Sequence, residues 1–410
     1  MKSLLQRRTM HMPCVPSTLF ALAAASVLLI NYGTSAYGHD LRQISAAAGE
    51  APGFAEIPAP GVRIIREKDY AKRPAYYLSS SLYTVLASGR ETGNRFVSFD
   101  FQTPPQGGPQ PHTHRNEWET FFVVEGDVTF TTGVEVAPDG TATSFITEEV
   151  PAGTVVYGPQ GPIHGFQNLS DKPARIYSFA VPAGLDVFFE TAGERVKNFT
   201  APIPTISLEE IVRTAFWAEQ RGDGLFQLGT PPPPEEQGDL KLVISSITDP
   251  NRPRERGRFG EELILLVTQE EVGRKTGATA FCGPGLPGRP GGTVDYAYFT
   301  LPPGQGNFPP SVASDNVFEV YFILSGELSL RFGDGGTEVT VPALTYVEIQ
   351  QGHAYSIANK GTAPAESLAI SVIAPESCPD SLGLGGLPLN LGSPTGTAVA
   401  SRKPGRSQSK

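Results

Sequence analysis

Apolar residues alternate with polar ones over short stretches of this chain, and glycine and proline separate the stretches. A period of two predicts β-strands rather than amphipathic helices. The continuous apolar run Phe121–Val124 also reads as a strand, and its surroundings occur twice. Glu119 and Gly126 in ETFFVVEGDVTF stand 200 residues before Glu319 and Gly326 in EVYFILSGELSL. Asn168 in HGFQNLSDKPARIYSFAVPAG falls on Asn359 in YSIANKGTAPAESLAISVIAP, and Ser81–Gly93 resembles Glu262–Gly277. Self-similarity of this kind predicts two tandem units of one fold. Between them, Ser207 to Glu210 forms a capping box that starts a helix through about Gln220, with Ile211, Ala215 and Ala218 on one face. Pro231–Pro234 then reads as a stiff spacer, and Gly392–Lys410 as a polar, basic, disordered tail.

Composition agrees with an all-β chain. The 410 residues suffice for two domains, and 45 Gly with 38 Pro imply many short strands and turns. A net charge of −10 argues against nucleic acid or an anionic membrane as partner. Lys2, Arg7 and Arg8, the apolar run Leu19–Ile30 and the small residues up to Gly38 have the anatomy of a signal peptide over residues 1–38. The expected mature protein is secreted or periplasmic, without a membrane attachment. A retained anchor and a twin-arginine signal are the alternatives, the second fitting Thr9-Met10 poorly. Cleavage removes Cys14 and leaves Cys282 and Cys378, which export would allow to form a disulfide; two buried thiols are the other reading. Of two glycosylation sequons, Asn198-Phe-Thr is the better acceptor, because Asn168-Leu-Ser lies among the candidate site residues.

Those residues centre on Pro111–Gly126, PHTHRNEWETFFVVEG, which holds two of the chain's six histidines. In a strand His112 and His114 point the same way. Arg115-Asn116 makes a tight turn, Glu119 follows, and His164 lies in the glycine-flanked GPQGPIHGFQN. Three imidazoles and a carboxylate suit a first-row transition metal with positions left open. Glu117 shares Glu119's face and is an outer-shell or surrogate ligand candidate, whereas Trp118 points away.

The spacing of these residues resembles the two motifs of the cupin superfamily. His112-x-His114, four residues, Glu119, six residues and Gly126 correspond to the first; Gly153, Pro159, Gly161, His164 and Asn168 correspond to the second. The leading glycine of the first motif falls at Gln106, with Gly107 one residue off. The resemblance implies an all-β fold of two tandem cupin (double-stranded β-helix, or jelly-roll) barrels joined by a short helix. Residues 39–74 would be an N-terminal arm, 75–200 the first cupin domain with the metal site, and 201–240 helix and linker. Residues 241–378 would be a second cupin domain without a site, and 379–410 a flexible tail. In the second repeat Val312, Ser314 and Tyr355 face His112, His114 and His164, and only Glu319 is kept.

One intact site in the first of two cupin domains resembles the quercetin 2,3-dioxygenase family, over roughly Ala75 to Ala374. That resemblance implies His112, His114, Glu119 and His164 as metal ligands. Glu119 would also be the base that takes the 3-hydroxyl proton of a flavonol, whose ring opens with dioxygen and releases carbon monoxide. The small aromatic substrate would need an apolar pocket, for which Phe121, Phe130, Tyr157, Phe166 and Phe179 are candidates against ordinary core packing. Copper or iron is the favoured metal, with manganese, nickel and zinc as alternatives. The competing functions are an oxalate oxidase or decarboxylase, with Arg115 the closest cation, and a non-catalytic binding or storage protein.

Overall fold

The strand Trp118–Glu125 is apolar nearly throughout because both of its faces are covered. Phe121 and Val123 turn into the interior of the first barrel, while Trp118 and Phe122 turn outward onto the second. Strands buried on both faces lose the alternation that a half-exposed strand shows. The computed structural model describes residues 55–114, 117–233, 242–256, 262–267, 293–306, 311–312, 318–333 and 336–373. The expected signal peptide, the Cys282 and Cys378 pair and the C-terminal tail lie outside the described residues.

Each half is a jelly roll with a large and a small sheet. The large sheet of the first half is antiparallel, in the order Glu194–Arg195, Ala75–Leu78, Ser81–Ala87, Val97–Thr103, Ala174–Val181, Trp118–Glu125, Thr154–Gly158 and Val243–Ser246. Asp127–Val136, flanked by Gly165–Gln167 and Ala142–Pro151, forms the small sheet opposite. The second half repeats this scheme. Its large sheet runs Val62–Arg66, Thr345–Ile349, Phe318–Ser325, Ala365–Ile373, Thr293–Leu301, Glu262–Val267 and Arg254–Arg256.

The halves trade edge strands. Val62–Arg66, which precedes the first barrel in sequence, pairs with Thr345–Ile349 of the second, and Val243–Ser246 pairs with Thr154–Gly158 of the first. The two large sheets pack through one apolar layer, in which Tyr177 stacks on Phe322 and Phe96 meets Phe318 edge to face. Arg63, Arg73, Glu91 and Glu348 form a buried ion network at the same junction. Glu91 lies 2.9 Å from Arg63 and 2.6 Å from Arg73, and Arg63 lies 2.5 Å from Glu348.

Two helices follow the first barrel, α1 (Leu185–Ala192) and α2 (Leu208–Arg221). Ser207 caps α2 by accepting from the Glu210 N–H, as the capping motif predicts. The Glu210 carboxylate reaches back to the Ser207 N–H, completing the capping box, and also accepts from the Ser79 N–H at 2.5 Å. That contact ties the helix to the barrel. On the other side, the Arg213 Nε donates to the Ala192 carbonyl at the end of α1.

The departure at Gln106 is also resolved in the backbone. Gln106 takes a left-handed φ of 68°, and its N–H donates to the Asn168 carbonyl at 2.7 Å. In the second half Gly304 has φ 75° and makes the matching bond to Asn359. The turn is thus kept at a position where a side chain costs about 1 kcal/mol more than glycine.

Candidate metal centre

Period-two geometry brings the four predicted donors together. His112 and His114 stand on one side of a short strand, and His112 bridges His164 through paired backbone hydrogen bonds of 2.8 and 2.9 Å. Glu119 comes from the next strand, whose register sets it opposite Gly158 and Ala180, where no large side chain competes for its space. One donor atom from each of these four residues lies within 4.8 Å of the others.

The hydrogen bonds orient the rings. His112 Nδ1 donates to the Gln110 carbonyl at 2.7 Å and His164 Nδ1 to the Pro162 carbonyl at 3.1 Å, which turns both Nε2 atoms inward. The Nε2 atoms of His112 and His114 are 3.1 Å apart. Glu119 Oε2 is 3.4 Å from His114 Nε2 and 3.8 Å from His164 Nε2, while its Oε1 accepts from the Ser178 hydroxyl at 2.9 Å.

Charge in the cluster follows burial and proximity. Burial alone would raise the Glu119 carboxyl, but the imidazoles of His114 and His164 outweigh it and hold it down at about 2. Burial and the neighbouring imidazoles lower His112 to about 3, keeping its lone pair available. His114 is pushed up to about 10, because Asp223, Glu119 and Glu117 together overcome its burial. His164 Nε2 is buried and makes no hydrogen bond, although it points at three other donors. A buried polar atom without a partner is costly, and a metal ion at the convergence point would satisfy it. The donor set therefore fits a transition metal bound by three imidazole nitrogens and a carboxylate.

A cavity of about 760 Å³, counted out to its open mouth, adjoins the cluster and includes His112, His114 and Glu119 in its wall. The rest of its wall is largely apolar, with Phe101, Phe121 and Tyr83 from the barrel and Phe188 and Phe189 from α1. Helix α2 supplies Ile211, Thr214 and Ala218. The segment expected to be only a connection is therefore built into the first barrel. After α2, Gly224–Leu225 pairs with the strand that carries His112.

Of the five aromatic candidates, Phe121 lines this cavity. Phe130 and Phe166 pack behind it in the barrel core, at centroid distances of 5.2 and 5.7 Å. Tyr157 and Phe179 must be reassigned. Both are register partners of Thr120, so they share its face of the sheet and lie in the layer between the halves, away from Glu119. Asn198 is exposed, with its Oδ1 accepting from Thr200, whereas Asn168 is fully buried and donates to the Thr103 and Lys172 carbonyls.

Glu117 is buried and is no surrogate for Glu119. It pairs with Arg221 and lies 3.9 Å from His114 Nδ1. Arg221 and Asp223, at the end of α2, escaped the sequence reading; they sit far from the histidines in sequence and in no recognisable spacing. In the second half Glu319 accepts from the Tyr321 hydroxyl at 3.1 Å, and Tyr321 and Tyr355 are linked at 2.6 Å. Strand pairing sets Ser311, rather than Val312, opposite Tyr355. His353 packs against Gly61, where a Cβ would come within 2.0 Å of its ring.

Comparison with known proteins bears on these observations. The family model described as Cupin domain matches residues 99–181, a span containing all four donors. No curated protein matches the sequence. Among solved structures, protein YlbA from E. coli superposes with a TM-score of 0.46 and 11% identity, over 80% of this chain and 96% of its own. An oxalate decarboxylase variant from Bacillus subtilis gives 0.44 and 15%, over 75% and 76%. The formate complex of Lactobacillus farciminis oxalate decarboxylase gives 0.46 and 12%, over 76% and 86%. The chain has the cupin fold, and residues 99–181 carry a cupin domain.

Proposed function

We propose that this protein is a metal-dependent dioxygenase that acts on a flavonol, such as quercetin, or a similar enolisable aromatic. The observation that carries the reading is the wall of the cavity beside the four donors. Among the described residues that line it there is no Lys or Arg, and most are apolar, five of them Phe or Tyr. An apolar, aromatic wall suits a flat ring system, whereas the oxalate dianion would need cationic partners to offset its desolvation.

The residues divide the work. A bound transition metal would acidify a coordinated hydroxyl and supply the redox chemistry of dioxygen activation. Glu119, ionised at neutral pH, receives the substrate proton. Ser178 fixes one of its oxygens, which leaves the other facing the cavity and the histidines. Phe121, Phe188 and Phe189 exclude water and hold the ring system.

The test is oxygen uptake and carbon monoxide release by metal-loaded protein over a panel of flavonols, with oxalate in parallel. Uptake with a flavonol and none with oxalate is expected. Turnover of oxalate alone would replace this reading with the carboxylate one.

A further inference from the structure

The three imidazoles are not held alike. His112 and His164 each donate Nδ1–H to a backbone carbonyl two residues away, so the local chain fixes them. His114 has no such carbonyl. Its Nδ1 is buried and faces Asp223 Oδ2 at 3.4 Å, with Glu117 Oε1 further off at 3.9 Å. Asp223 is itself fixed. It follows Gly222, the left-handed residue that ends α2, and its Oδ2 accepts from the Arg221 Nε at 2.9 Å. Arg221 is anchored in turn by Glu117 and by the Gly184 carbonyl, to which its Nη1 donates at 2.5 Å.

We propose that Asp223, held by Arg221, is the positioning residue for His114. It accepts the Nδ1 proton and so fixes Nε2 toward His112, Glu119 and His164. The metal centre is then completed by a segment that follows the barrel in sequence, and the last turn of α2 belongs to it. The proposal rests on the four-donor reading. His114, Glu117 and Asp223 also come close enough to suggest a second cation site. The Arg221 guanidinium already pairs with both carboxylates, so it occupies the role such a cation would have.

Carboxylates that support a ligating histidine typically change metal affinity by about 10–100-fold. The test uses the full chain and Co(II) as probe, reading its dissociation constant by competition with a chelator and its coordination by visible absorption. Asp223→Asn should weaken Co(II) binding about 10–100-fold and change the spectrum while far-UV circular dichroism stays the same. If the Asn variant does not fold, Asp223→Glu decides on the same readouts, since it keeps the charge facing Arg221 and lengthens the reach by one methylene. Wild-type affinity and spectrum in a folded variant would overturn the role of Asp223 and leave the four-donor site standing. Failure of the wild-type protein to bind Co(II) would instead overturn the metal site, and the role of Asp223 with it.

Discussion

Ser178 donates its hydroxyl to Glu119 Oε1 across 2.9 Å, while its chain neighbour Tyr177 stacks on Phe322 of the second half at 3.8 Å. One strand therefore holds the candidate base on one face and the junction between halves on the other. Ser178→Ala should leave Glu119 free to rotate and lower kcat roughly tenfold, an outer-contact effect of the usual size. Steady-state rates with metal content measured in parallel would check this; unchanged kcat at full metal content would mean the bond does not orient Glu119.

His164→Ala removes a donor that no other described group replaces. Stoichiometric metal binding and turnover should be lost, while unfolding stays cooperative because the sheets do not depend on the ring. Elemental analysis and thermal unfolding of the variant decide the point, and full metal content would show that the ligand set is misassigned.

The Tyr177 and Phe322 stack joins halves that also share strands. Phe322 is 1% exposed, so Phe322→Ala should cost about 3–5 kcal/mol. Denaturant unfolding measures it, and a loss below about 1 kcal/mol would show that the apolar layer between the sheets repacks readily.

Acid should weaken the same junction through Glu91. Burial would raise its carboxyl, but Arg73 and Arg63 outweigh that and lower it from 4.5 to about 2. A carboxyl depressed by folding contributes stability above its unfolded value, here 4.5, and loses that contribution as pH falls through 2. The contribution is on the order of 3 kcal/mol. Between pH 6 and pH 2 wild type should therefore lose more stability than Glu91→Gln. Parallel losses in the two proteins would remove Glu91 from the acid response.

What could be read from the sequence was whatever is encoded within a few residues. His112, His114 and Glu119 sit on adjacent strands with a fixed alternation, so spacing alone brings them together. The Ser207 cap is equally local. Tyr157 and Phe179 were misplaced because the face a strand residue occupies depends on its register with neighbours, and Thr120 sets that register from another strand. Asp223 carried no signal at all, since its contact with His114 exists only once α2 has folded back over the barrel. The trade of edge strands was invisible for the same reason: Val62–Arg66 falls in the stretch expected to be an N-terminal arm, and only its pairing with Thr345–Ile349 makes it part of a sheet.

That trade has a consequence for the chain as a connected object. A break introduced between Thr230 and Val243 would leave each fragment carrying a strand that completes the other's sheet. Neither piece would own a complete large sheet, and each would display an open edge until it met its counterpart. Two separately produced fragments should accordingly reassemble on mixing, with the exchanged edge strands as the bond between them.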